Sequence, residues 1–195
     1  MTREKILLIG GGGHCRSCID VIETEGRFDI AGIIDQQDKV GTSVLGYRVI
    51  GTDIDLQKFI DQYHNVLITV GQIKTPSLRI KLFNRAKELS ANFPVIVSPK
   101  AHVSKHATIF EGTIVMHDVV VNAGCTIGEN CILNSKALIE HDSSIGAHSH
   151  ISTGAIVNGD CEVGEGSFIG SRAVLKNGIK IEANGLIKFG SVVER

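Results

Sequence analysis

From Val103 to the C-terminus the chain repeats every six residues, a period that suits neither an amphipathic helix nor a simple alternating strand. Val, Ile or Leu occupies Val103, Ile109, Val115, Val121, Ile127, Leu133, Ile139, Ile145, Ile151, Val157, Val163, Ile169, Leu175, Ile181, Ile187 and Val193. Four residues after each aliphatic the side chain is small, as at Ala107, Thr113, Cys125, Ser143 and Ser167, with Val119 and Ile179 the exceptions. Two interleaved rules of one period predict a solenoid of short flat faces. The aliphatic fills the interior and the small residue lets the chain turn beside it. Each face pairs with those above and below, so burial accumulates coil by coil. With three hexapeptides to a coil, the segment holds about five coils.

The remaining hundred or so residues form a second unit. Lys5 to Ile9 is a buried strand, followed by Gly10, Gly11, Gly12, Gly13 and His14, and then by a helix from about Cys15 to Glu25. Phe28 to Ile34 is the second strand and ends at Asp35. Asp53 caps a helix reaching Asp61, Val66 to Val70 is a third strand, and Thr75 to Leu89 is a helix opened by Pro76. Phe93 to Val97 is expected as a fourth strand, at an edge because of Pro94.

This strand–loop–helix–strand order resembles half of a doubly wound nucleotide-binding fold, in which glycines let backbone N–H groups approach a phosphate. GxGxxG fails at Cys15 in one frame and at Arg16 in the next, so the residues alone leave open a tight turn without a ligand. Four strands suit a mononucleotide or nucleotide-sugar site better than a dinucleotide one.

A formal net charge of -1 with interspersed signs gives no reason to expect nucleic acid or a membrane as partner. The run Ile6 to Ile9 is too short for a signal peptide or a membrane span, and a cytoplasmic location is the expectation. Of the five cysteines, Cys125, Cys131 and Cys161 fall at the small position of the repeat and read as core fillers. Cys15 and Cys18 form a CxxC, but no second one follows and the pair lies in the first turns of a helix.

Among the eight histidines, His141, His148 and His150 lie close together in Ile139-Glu140-His141-Asp142 and Ala147-His148-Ser149-His150. A neutral imidazole is a natural general base near cellular pH, and a carboxylate on its other nitrogen would fix the tautomer and raise its basicity. Asp142 or Glu140 could supply it. Chain neighbours on a strand point to opposite faces, so a contact with Asp142 requires His141 to lie at a corner. No spacing singles out a tetrahedral metal site.

The four glycines with His14, Asp35, Val70-Gly71, and a hexapeptide array carrying Asn134 and Ile139-Glu140-His141-Asp142 together resemble the sialic-acid O-acetyltransferase and bacillosamine N-acetyltransferase family, over nearly the whole chain. The resemblance implies an α/β, half-Rossmann nucleotide-sugar-binding domain over 1–100 and a left-handed parallel β-helix over 101–195. It implies acetyl-CoA as cosubstrate, a nucleotide sugar as acceptor, a homotrimer and no metal. His141 would deprotonate the acceptor, with Asp142 raising its basicity. Gly12, Gly13, His14, Asp35 and Gly71 would hold the nucleotide sugar, and His150, Gly159, Ser171 and Phe189 the acetyl-CoA. Lys188-Phe189 stand where the family carries small residues. Transfer to an amine is the expectation; the alternatives are transfer to a hydroxyl of a sialic-acid-like sugar and a non-catalytic nucleotide-sugar-binding scaffold.

Overall fold

The computed structural model describes residues 3–194, which divide into two compact units: those up to Gly71 with Ser77–Pro94, and Gln72–Pro76 with those from Val95 on.

In the first unit, β1 (Glu4–Ile9) leads into α1 (Gly13–Glu25) and β2 (Phe28–Ile34). A hairpin of β3 (Ser43–Val44) and β4 (Tyr47–Gly51) follows, then α2 (Leu56–Tyr63), β5 (Asn65–Ile68) and α3 (Ser77–Glu88). The sheet order is β3-β4-β2-β1-β5, parallel except for the β3–β4 pair. Ile6 to Ile9 in β1 and Val66 to Ile68 in β5 are buried throughout, because a parallel sheet is covered on both faces. Leu7, Ile9, Ile34, Ile60, Phe83 and Phe93 belong to one core cluster. Each such side chain contributes about 1.5–3 kcal/mol by leaving water.

Three elements differ from the sequence-based expectation. The fourth parallel strand is β4 rather than Phe93 to Val97. Its hairpin turns on Leu45-Gly46, both at positive φ (48° and 89°), without the Asn-Gly signal that usually marks such a turn. Phe93 packs its ring 4.3 Å from that of Phe83, while Ile96–Val97 pairs with Ile114–Val115 as the first rung of the repeat. Pro94, with no N–H to give a ladder, stands between the two. The cap near Asp53 is Thr52, whose Oγ1 accepts from Ile54 N at 3.3 Å while Asp55 Oδ2 accepts from Thr52 N at 3.1 Å. This capping box opens a short 3-10 turn that runs into α2.

Among the described residues the second unit contains seventeen two-residue strands, arranged on three faces as a left-handed parallel β-helix. We number the faces in chain order from the strands Ile96–Val97, His102–Val103 and Thr108–Ile109. Val120 pairs with His102 on one side and Leu138 on the other, eighteen residues away each time, so three hexapeptides make a coil. The aliphatic series points inward: Val121, Ile139, Val157 and Leu175 are all fully buried.

The small position is also interior and does more than make room. Thr113 Oγ1 donates to Gly128 O at 2.8 Å and accepts from Cys131 N at 2.9 Å, tying coil to coil. Ser143, Ser149 and Ser167 do the same, and Cys125, Cys131 and Cys161 place Sγ 3.0–3.2 Å from the corresponding carbonyls. A third rule of the same period appears at the corners. Every sixth residue from Gly112 to Gly190 has positive φ, including Asp118, Asn130, Asp142, His148, Asp160 and Asn184. Glycine and Asx residues accept that conformation at low cost. No helix among the described residues is long and apolar enough to cross a membrane.

Candidate active site

His141 occupies the corner between the second and third faces, after the strand Leu138–Ile139 and before Ser144–Ile145. The next residue, Asp142, takes the left-handed conformation (φ 61°), which turns the chain and brings neighbouring side chains to the same side. His141 Nδ1 therefore lies 2.9 Å from Asp142 Oδ2, the corner contact that an extended strand would forbid. A carboxylate only accepts, so the neutral ring carries its proton on Nδ1 and leaves Nε2 with a lone pair.

The ring leans over Gly159, one coil further on, where a Cβ would meet Cε1 and Nε2 each at 2.7 Å. Gly159 N–H donates to no group among the described residues. On the other side, a Cβ at Gly124 would strike the Asp142 carboxylate. Glycines above and below thus clear the space in which the dyad sits. The hydrogen bond to Asp142 raises the His141 pKa, partial loss of water opposes it, and the charges of Asp142, Asp160 and Glu140 add to the rise. Both side chains are more than half exposed. The Glu140 carboxylate is itself held by Asn122 Nδ2 at 2.7 Å.

The other residues singled out from sequence fall into separate places. His150, on the first face, is buried; its Nδ1 donates to Gln72 O at 2.6 Å, and its Nε2 lies 3.1 Å from Asn134 Nδ2. Ser171 and Phe189 lie at the corner between the first and second faces. Ser171 Oγ is 2.9 Å from Ser152 Oγ, and Phe189 is 82% exposed. Within one chain the structure brings together His141, Asp142 and Gly159, while Ser171 and Phe189 stand on a different edge of the prism.

In the first unit Gly12 is the N-cap of α1 and supplies no capping side chain; at Gly12 and Gly13 an added Cβ would meet nothing within 4 Å. Asp35 latches the glycine loop, accepting from Gly11 N at 2.6 Å and from Gln36 N at 2.7 Å. Gly10, at φ 108°, abuts Val70, and a Cβ on Gly71 would lie 3.4 Å from that of His14. A cavity of about 210 Å³ opens at the carboxyl ends of β1 and β2, lined by Gly10, Asp35, Gln36, Asp53, Val70, Leu78 and Leu82. This is where ligands bind in open α/β sheets. Arg79, almost fully buried on α3, was not anticipated; its guanidinium donates to Ile68 O at 2.8 Å and Val70 O at 2.6 Å, closing the end of β5.

The five cysteines are free and buried. Burial pushes up the thiol pKa of Cys18, and likewise those of Cys15, Cys125 and Cys161. No group of three or more His, Cys, Asp or Glu among the described residues is gathered to hold a metal ion.

An α/β domain with a glycine loop, joined to a hexapeptide β-helix that presents a histidine–carboxylate dyad at one corner, defines an acyltransferase of the hexapeptide class. Residues 5–86 match the PglD N-terminal domain, and 106–141 and 139–177 match the bacterial transferase hexapeptide family. A histidine-to-asparagine variant of perosamine N-acetyltransferase from Caulobacter crescentus, in complex with CoA and GDP-perosamine, superposes with a TM-score of 0.93 at 31% identity, covering 100% of this chain and 90% of that one. The acetyltransferase domain of PglB from Neisseria gonorrhoeae FA1090 gives 0.91 at 29% identity, covering 98% and 92%. WeeI from Acinetobacter baumannii AYE, at 18% identity and 0.75, shares the fold. The chain belongs to the hexapeptide-repeat sugar acetyltransferases with a PglD-type N-terminal domain, and it is an acetyltransferase.

Proposed function

We propose that the chain transfers the acetyl group of acetyl-CoA to the amine of a nucleotide-linked amino sugar, with His141 as general base. The observation that carries this is the His141 imidazole, held at Nδ1 by Asp142 and open at Nε2 over Gly159. The amine lone pair attacks the thioester carbon and its proton passes to His141 Nε2. The carbonyl oxygen gains charge and is met by the Gly159 N–H. As the tetrahedral centre collapses, the CoA sulfur leaves and takes the proton from the imidazolium, so no acyl-enzyme forms. Amine rather than hydroxyl is favoured by the carboxylates of Glu140, Asp142 and Asp160 around the imidazole. They attract an acceptor that arrives as an ammonium ion, which releases one proton to solvent before its lone pair attacks, and they do nothing for a neutral hydroxyl.

The nucleotide end of the acceptor is assigned to the glycine loop, with Gly12, Gly13 and His14 at the N-terminus of α1 and Asp35 and Gly71 beside it. The acetyl-CoA contacts assigned to Gly159, His150, Ser171 and Phe189 span more than one edge of the prism, so a second copy must supply the missing edge. From the second rung on, the outward residues of the second face, Val120, Leu138, Ile156, Val174 and Val192, form an apolar stripe that suits a closed homotrimer.

His141→Ala is expected to lower transfer from acetyl-CoA to UDP- or GDP-linked 4-amino sugars by about a hundredfold or more, while calorimetry still detects acetyl-CoA binding. Transfer near the wild-type rate would remove His141 from the chemistry. A wild-type protein giving no heat with acetyl-CoA would favour a scaffold, and faster acetylation of a sialic-acid-like hydroxyl would reverse the choice of acceptor.

A further inference from the structure

The corner that carries His141 is a ladder. Residues eighteen apart stack along it, and Lys105, Ala123, His141, Gly159 and Asn177 are its successive rungs. The backbone fixes this register: Asp142 N donates to Ala123 O at 3.0 Å, Asp160 N to His141 O at 3.1 Å, and Gly178 N to Gly159 O at 2.9 Å. The His141 ring leans along the ladder toward its C-terminal end, since a Cβ on Gly159 would touch Cε1 and Nε2. From the far side, Asn177 Nδ2 closes over the same glycine, 3.3 Å from that Cβ position. Asn177 is exposed, and its carboxamide has no partner among the described residues. The gap floored by Gly159 is therefore bounded by a base on one side and by an uncommitted amide on the other.

We infer that Asn177 binds the acyl donor by pairing its side-chain carboxamide with the first amide of the pantetheine arm, an assignment that rests on the reaction proposed above. The base nitrogen fixes where the reacting centre must be: the acceptor nitrogen within reach of Nε2, and the thioester carbon over Gly159. The arm leaving the thioester sulfur toward the C-terminal coils then passes the next rung. Successive rungs are one strand spacing apart, about 4.8 Å, and two methylenes carry the pantetheine chain from sulfur to its first amide nitrogen over a comparable distance. A carboxamide offers a donor and an acceptor side by side, the complement of a secondary amide. None of the other rungs, a lysine, an alanine and a glycine besides the base itself, offers that pair of groups. Asn177 thus holds the register of the donor, setting which atom of the arm stands over Gly159.

The test compares two small thioesters that differ in this amide. S-acetyl-N-acetylcysteamine keeps the amide at its natural distance from sulfur, and S-butyl thioacetate replaces it with methylenes. For Asn177→Ala, kcat/KM with the first donor is expected to fall about tenfold, carried by KM, and that with the second by less than about twofold. KM for acetyl-CoA rises in the same sense, and KM for the amino-sugar nucleotide stays put. An equal loss with both thioesters, a change confined to the acceptor KM, or an unchanged KM for the amide-bearing donor would each overturn the assignment. If the wild-type protein transfers acetyl from no donor to any amino-sugar nucleotide, the parent reaction falls; a wild-type protein that transfers normally beside an indistinguishable Asn177→Ala overturns this inference alone.

Discussion

Replacing Gly159 by alanine tests whether the site depends on the position of one ring. Gly159 is not among the residues with positive φ, so alanine adopts its backbone without strain. The added methyl would sit 2.7 Å from both Cε1 and Nε2 of His141, whereas carbon atoms in contact rest about 3.5–4.0 Å apart. The imidazole must recede by about 1 Å, and it can do so because the side chain is 58% exposed. Receding strains the 2.9 Å bond to Asp142 and carries Nε2 off the line to the substrate. A misplacement of about 1 Å at a reacting group costs about a hundredfold in rate, which corresponds to about 2.7 kcal/mol of transition-state stabilisation. The fold has no comparable stake in an exposed ring, so the melting temperature should move by no more than about 2 °C. Steady-state kinetics with acetyl-CoA and an amino-sugar nucleotide, run beside a thermal melt, provide the measurement. A variant that keeps kcat within about threefold of wild type would show that the ring's seat over Gly159 does not matter. A collapse of the melting temperature would show instead that the glycine serves the coil.

Asp142→Asn should lower kcat by about a hundredfold and move the acidic limb of the pH–rate profile downward. The hydrogen bond to Asp142 raises the His141 pKa, so the wild-type base is lost as pH falls through a value above the ordinary histidine range of about 6.5; without the carboxylate that loss comes at lower pH, and an unmoved limb would refute the coupling. Ser149→Ala should cost about 1–3 kcal/mol in denaturant unfolding, because Ser149 Oγ bridges Gly164 O at 3.1 Å and Ser167 N at 3.2 Å. Ser149→Cys should recover much of this, as Cys131 already fills the position, with Sγ 3.2 Å from Gly146 O; equal losses for the two variants would reduce the serine to its size. A thiol-specific disulfide reagent should label no cysteine of the native protein within minutes and all five after unfolding, since all are buried. Fast modification of Cys15 or Cys18 in the native state would reopen a redox role for the CxxC.

The β-helix was legible because each coil buries the same two positions, and burial writes itself into residue type. Val121, Ile139 and Val157 could be placed inside without coordinates. His141 was legible as a candidate, but its geometry was not: whether it touches Asp142 turns on a positive φ at residue 142, which no residue type dictates. Gly159 and Asn177 become neighbours of His141 only when the chain is written eighteen residues to a line, and that arithmetic was available from the period. The N-terminal unit was harder to read at its margins. Phe93 to Val97 is one apolar run, yet its first residue packs against Phe83 and its last two start the β-helix. A run of hydrophobic residues says that something is buried, and nothing about which core buries it. Asp53 lost the capping position to Thr52 because both are good caps and the choice lay with the reciprocal bond from Asp55.

The repeat also explains why chemistry could settle at position 141 without disturbing the fold. Within each hexapeptide the aliphatic, the small residue and the positive-φ residue are committed to the interior or to the turn, whereas the position two after the aliphatic carries no such duty. That position holds Lys105, Ala123, His141, Gly159 and Asn177 along one edge. Its occupants project outward at intervals set by strand spacing, about 4.8 Å, whatever they are. An extended substrate lying along such an edge meets one side chain per interval, so substitution at one rung alters one contact and leaves the core untouched. Gly159 has to lack a side chain because His141 occupies the space above it, and His141 can occupy that space only because Asp142, in the left-handed turn, ties the imidazole down. The base, its orienting carboxylate and the empty rung are therefore one device, and changing any of them should be felt in the rate before it is felt in the stability.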